Sequence, residues 1–119
     1  MANDYDTTAR NVMLDALAAL CTRIALHTGD PGAANTAANE VSGGGYARQA
    51  ITWNAASGGS VDSSNAPAFS IPASTTVSWI SGWNTAGTVR YWKKDVTDEV
   101  FSGAGTYTLT DADMDLNDA

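Results

Sequence analysis

The chain has 119 residues, 44% of them apolar, and its 13 acidic against 6 basic side chains give a net charge of -7. That length makes one domain, which buries roughly 65% of its unfolded surface and holds a modest core without metals, and a single cysteine, Cys21, excludes an internal disulfide. The acidic balance disfavours contact with nucleic-acid phosphates, and no basic leader or long apolar run marks secretion or membrane insertion, so a soluble, unprocessed chain without nucleic-acid or membrane partners is expected.

A helix is predicted over about residues 7–21. Asp6, Thr7 and Thr8 can cap its start, and Met13, Leu17, Leu20 and Ile24 recur at helical spacing, widened by Val12 and Ala16. The remainder, residues 22–119, reads as β-rich. In "TRIALH" Ile24 and Leu26 alternate with Arg23, Ala25 and His27, and "TGDPG" ends that strand at Pro31. An Ala/Asn-rich loop then leads to "NEVSGGGYARQAI", where Gly43, Gly44 and Gly45 invite a phosphate-loop reading. The strand-before, helix-after context and the Lys-Ser/Thr pair of such a loop are missing. The segment after the glycines alternates instead, with Ala47, Gln49, Ile51 and Trp53 on one face and Tyr46, Arg48 and Thr52 on the other. The glycines therefore read as a turn into a strand.

A loop of small polar residues with a short strand around Val61 comes next. In "AFSI" Phe69 and Ile71 share a face, and in "TVSWISGW" Val77, Trp79 and Trp83 share one with Ser81. "VRYWKK" forms another strand, on which Tyr91 and Trp92 take opposite faces; "TYTLT" alternates again, and the last run sets Ala112, Met114 and Leu116 against Asp111, Asp113 and Asp115. Short strands with Gly, Ser and Asn turns indicate a mainly β fold, an antiparallel β-sandwich or barrel with one N-terminal helix, in a single domain spanning residues 1–119. Four tryptophans, at 53, 79, 83 and 92, can supply much of its core.

Chemistry is sparse. The Asp111, Asp113 and Asp115 series resembles the start of a calcium loop, but its sixth position is Leu116 rather than glycine and the chain ends before a twelfth-position glutamate. His27 is the sole histidine and no serine sits in a nucleophile elbow. No catalytic residue, metal or cofactor is expected. The candidate partner contacts are Arg90, Tyr91 and Trp92, an aromatic and basic cluster of the kind that anchors interfaces, together with Asp111, Asp113 and Asp115. Those three belong to seven acids after Lys94, among them Asp95, Asp98, Glu99 and Asp118, that no basic residue accompanies; such a face suits a basic partner surface.

The motifs "NVMLDAL", "IALHTGDPG", "NEVSGGGYARQAITW" and "FSIPASTTVSWISGW" followed by "NTAG" resemble a family of small tailed-bacteriophage proteins labelled tail-fibre or minor tail proteins. The resemblance covers most of the chain, and the region from Arg90 to Glu99 departs from it in being more charged. It implies a structural virion protein, assembled in the host cytoplasm, with no active site. Its partners would be other virion proteins, major capsid or tail, with self-contacts in a symmetric lattice. A fibre shaft requires repeats or a long rod, and no segment repeats here, so a compact knob on the capsid shell or the tail is the expected form. The alternative is a carbohydrate-binding receptor module using Tyr91 or Trp92.

Overall fold

The structure, a computed structural model, describes residues 4–116, and Asp118 lies outside the described residues. One helix, α1 (Thr7–Leu20), precedes the strands β1 (Arg23–His27), β2 (Gln49–Ala50), β3 (Ser60–Asp62), β4 (Ala68–Ile71), β5 (Thr75–Trp83), β6 (Arg90–Phe101), β7 (Gly105–Thr108) and β8 (Asp113–Asp115). Four of them form a sheet in the order β2-β1-β5-β6, while β3 with β8 and β4 with β7 form two-stranded sheets. Every pairing is antiparallel. Among the described residues the fold is mainly β with a single N-terminal helix, as the alternation predicts.

The larger core lies between the four-stranded sheet and the β4-β7 pair. Ile24 and Leu26 of β1 and Val77 and Ile80 of β5 meet Phe69 and Ile71 of β4 and Tyr107 of β7. Fully burying one such aliphatic or aromatic side chain contributes about 1.5–3 kcal/mol. A second cluster seats the helix, with Leu14 and Cys21 against Val61 of β3 and Met114 of β8. Trp53 and Trp92 touch both clusters.

Some expectations change. On α1 the buried stripe is centred on Leu14, 1% exposed, with Leu17 and Ala18 packed beside it, whereas Val12, Met13 and Leu20 face outward at 64%, 37% and 55%. Apolar residues occur all round this helix, so its sequence offers two stripes, and β3 and β8 cover only one of them. Asp6 occupies the N-cap position, but its side chain makes no capping bond. The strand expected from Tyr46 to Trp53 contracts to Gln49–Ala50 plus an isolated bridge from Trp53 to Ser63.

Another change concerns β5. Val77 pairs with Glu99 and Trp79 with Asp95, so β6 places three residues, Val96 to Asp98, opposite the single Ser78. That bulge breaks the alternation. Val77 and Ile80 both reach the core, and Trp79 stays half-buried outside it. Trp83 alone of the four tryptophans is fully buried; the other three are half-buried, so aliphatic residues from the strands supply most of the core.

Candidate functional site

The glycine stretch builds a connected polar cluster. Gly43, Gly44 and Gly45 all have positive φ, at 89°, 61° and 80°, a backbone that L side chains resist. The turn they form carries Tyr46 and Arg48 back to Glu40. Tyr46 donates its hydroxyl to Glu40 Oε2 at 2.8 Å while accepting the Leu26 N–H at 2.9 Å. Arg48 holds both Glu40 oxygens at 2.9 Å, and its guanidinium lies 4.1 Å over the Trp83 ring. Burial pushes the Glu40 carboxyl up, but the Arg48 and Tyr46 hydrogen bonds overcome it and leave the group ionised below its ordinary range. Burial, with Glu40 nearby, raises the Tyr46 hydroxyl.

Behind this cluster, His27 Nδ1 lies 2.9 Å from the Ala38 carbonyl and Nε2 lies 2.7 Å from Ser81 Oγ. A carbonyl only accepts, so Nδ1 carries the proton and Nε2 accepts from the Ser81 hydroxyl. Ser81 Oγ in turn accepts from Trp83 Nε1 at 2.7 Å. Burial lowers the His27 pKa below 6.5 and keeps the imidazole neutral. Both His27 and Ser81 are 0% exposed, and a backbone carbonyl stands where a triad has its carboxylate. The arrangement locks β1 to β5 and to the loop after β1, and is closed to a substrate. Burial likewise pushes the Cys21 thiol up to about 11, so it stays protonated.

Arg90 is folded inward. Its guanidinium donates to the carbonyls of Thr36 (2.6 Å), Gly32 (2.8 Å) and Ala33 (3.0 Å), and its backbone N–H donates to Asn35 Oδ1 at 2.8 Å. Lys93 reinforces the same loop through Asp30 at 2.6 Å and lies 5.5 Å over the Trp79 ring. These contacts occupy the guanidinium within the chain itself. Tyr91 is a bulge residue, because Trp83 pairs with Arg90 and Gly82 with Trp92. Tyr91 and Trp92 therefore do not take opposite faces, and both pack against the helix cluster. They line a groove of about 370 Å³ with Leu14, Leu17, Met114 and Leu116. Trp92 Nε1 is buried with no oxygen or nitrogen acceptor, and the weakly accepting Cys21 sulfur is the group it faces.

The three aspartates separate. Asp111 is exposed and precedes β8, Asp113 sits at the rim of the groove 3.4 Å from Lys94, and Asp115 is exposed at the end of the strand. The strand face expected to carry all three unpaired thus holds one that is paired, Asp113. Among the described residues no group of three or more His, Cys, Asp or Glu could hold a metal ion.

The Glu40-Tyr46-Arg48 turn, the Arg90 loop, α1 and the strands β1 to β7 fall within residues 4–110, and that span matches a family model described as podophage GP4 fiber I protein gp80. The chain belongs to that family. No curated protein and no solved structure matches it. Membership in this fibre family makes the protein a bacteriophage virion component and implies association with other virion components. No helix among the described residues is long and apolar enough to cross a membrane. Asp111, Asp113 and Asp115 lie beyond the matched span. Sequence reasoning missed the Glu40-Tyr46-Arg48 contact and the His27-Ser81 pair. The first had a signal, a glycine turn between an acid and a Tyr-x-Arg; the second joins residues 54 apart in the chain and had none.

Proposed function

We propose that the protein is a non-enzymatic structural module of the tail-fibre apparatus, a compact knob mounted on a larger tail component rather than a decoration of the capsid shell. The match to a fibre protein over residues 4–110 carries this reading. The shape agrees with it: a body of 46 × 29 × 27 Å has no repeat with which to build a shaft. The His27-Ser81 contact is sealed, which supports a role without catalysis. Quantitative mass spectrometry of purified particles, with gold labelling of the intact chain, is the test. A low copy number with label at the tail is expected, matching the small rings of a tail. Label distributed over the shell would move the knob to the capsid, and absence from particles would end the reading.

A second reading, recognition of a host glycan, has one observation in its favour. The half-buried Tyr91 ring borders the groove beside Lys94, Asp113 and Asp115, giving an aromatic platform with polar neighbours. Binding on a glycan array that Tyr91→Ala abolishes would support it, and silence on the array would leave the mounted knob standing alone.

A further inference from the structure

β6 and β7 are consecutive strands joined by only Ser102, Gly103 and Ala104. Such a short connection ordinarily closes a hydrogen-bonded hairpin. Here β6 bonds to β5 alone and β7 to β4 alone. Their other edges border one cleft of about 550 Å³, lined by residues 94–99 and 107–111. The Phe101 ring lies against Gly105, which closes the cleft where the two strands begin to part. The β6 bulge falls in this segment. It packs Val96 against the core and interrupts the register with β5 between Asp95 and Glu99.

We propose that this cleft receives an extended, basic strand from a partner virion protein, which pairs with β6 on one side and β7 on the other. The four-stranded sheet and the β4-β7 pair would then become one continuous sheet. The argument begins with the edges: each strand presents backbone N–H and C=O groups on its cleft side, and among the described residues no backbone bond crosses from one to the other. Strand addition satisfies such groups directly. The walls then name the occupant. Asp95, Asp98, Glu99 and Asp111 line the cleft, with Lys94 as its one cation, and Lys94 is already paired with Asp113. A lysine- or arginine-bearing strand answers those carboxylates, whereas a second copy of this chain brings a net charge of -7 and the same acidic edge. The inference rests on the mounted-knob reading only for the source of the partner; the cleft can be tested without a particle.

The experiment titrates the isotope-labelled full chain with synthetic peptides of roughly ten residues, about the span of a long strand, alternating lysine with threonine or valine. One control is N-methylated at every second residue and another has glutamate for lysine. The basic peptide is expected to shift and protect amides on both β6 and β7. N-methylation removes that protection, and D98K/E99K weakens binding by about tenfold, with amides elsewhere in the variant confirming the fold. Equal binding of the methylated peptide would reduce the contact to ion pairing and overturn strand addition. Protection on one edge only, or no binding at all, would overturn it too, the latter showing that the acids guard the edge. Protection that grows with protein concentration in the absence of peptide would make the occupant a second copy. Absence of the protein from virions would sink the mounted knob and leave the peptide result intact.

Discussion

His27, Glu40, Arg48 and Arg90 sit where the chain answers each polar group from within, while Asp95, Asp98, Glu99 and Asp111 line a cleft whose one cation is turned to Asp113. The two regions meet along a single strand. In β6, Arg90 and Lys93 are occupied by the loop at 30–36, and a few residues later Asp95, Asp98 and Glu99 have no ion pair among the described residues. A charged stretch in the sequence therefore does not report a free charge. What decides is whether the backbone has already closed around it. The closed region should be sensitive to substitution and the open one tolerant.

The largest effect belongs to Gly82, at the back of the closed region. A Cβ there would stand 2.5 Å from the Trp92 indole and 2.7 Å from the Cys21 sulfur. Trp92 is wedged between both clusters and Cys21 is 0% exposed, so neither can retreat. Gly82→Ala should cost about 3 kcal/mol or more by urea denaturation. A wild-type midpoint would mean that Trp92 swings into the neighbouring groove, and that the region is looser than its contacts imply.

Next come the arginines. Arg48→Ala leaves Glu40, with a side chain 21% exposed, without its bidentate partner, and should cost about 2–3 kcal/mol. Arg90→Ala releases three carbonyls and should cost about 2 kcal/mol, with faster amide exchange confined to the loop at 31–38. A double-mutant cycle of Arg48→Ala with Glu40→Gln separates the pair from the packing of Arg48 on Trp83. Additive losses would show that the stacking, and not the ion pair, holds the turn.

The fold was legible where side-chain period decides it. Phe69 and Ile71 are inside and Ala68 and Ser70 outside, as alternation requires, and the helix begins at Thr7 and ends at Leu20. It was illegible at the bulges, where the extra residue at Tyr91 and the surplus at Val96 to Asp98 shift the register of β6 without any residue that announces it. For the same reason simple alternation puts Tyr91 and Trp92 on opposite sides, where the bulge does not. Arg90 shows the other limit: its three carbonyl partners lie more than fifty positions away, and no local pattern encodes them.

Acid tests the closed region through His27. Burial lowers its folded pKa, opposed by the Ala38 carbonyl and Glu40 and assisted by Arg48 and Arg90. The unfolded chain then takes up the proton first as pH falls below about 6.5, so stability is full above that value and declines until the folded imidazole itself protonates. The slope in that window should approach about 1.4 kcal/mol per pH unit. His27→Gln, less stable throughout, should lose this part of the slope, and an unchanged slope in the variant would assign the acid sensitivity to the carboxylates.

The smallest effects belong to the open region, and there the sign matters more than the size. Asp98 shares the cleft wall with Asp95, Glu99 and Asp111, and the one cation there, Lys94, is turned to Asp113, so Asp98→Asn relieves repulsion and should raise stability slightly, within about 0.5 kcal/mol. Asp113→Asn removes the contact with Lys94, which is 3.4 Å long between side chains 51% and 31% exposed, so it should lower stability by a similarly small amount. Both differences are carried by solvated charges and should fade in high salt, where screening acts over about 3 Å at 1 M. Paired melting curves at low and high salt check this. If Asp98→Asn instead destabilises the chain by an amount that salt does not change, Asp98 has a buried internal partner, the cleft belongs to the closed region, and its acids are not held open for another chain.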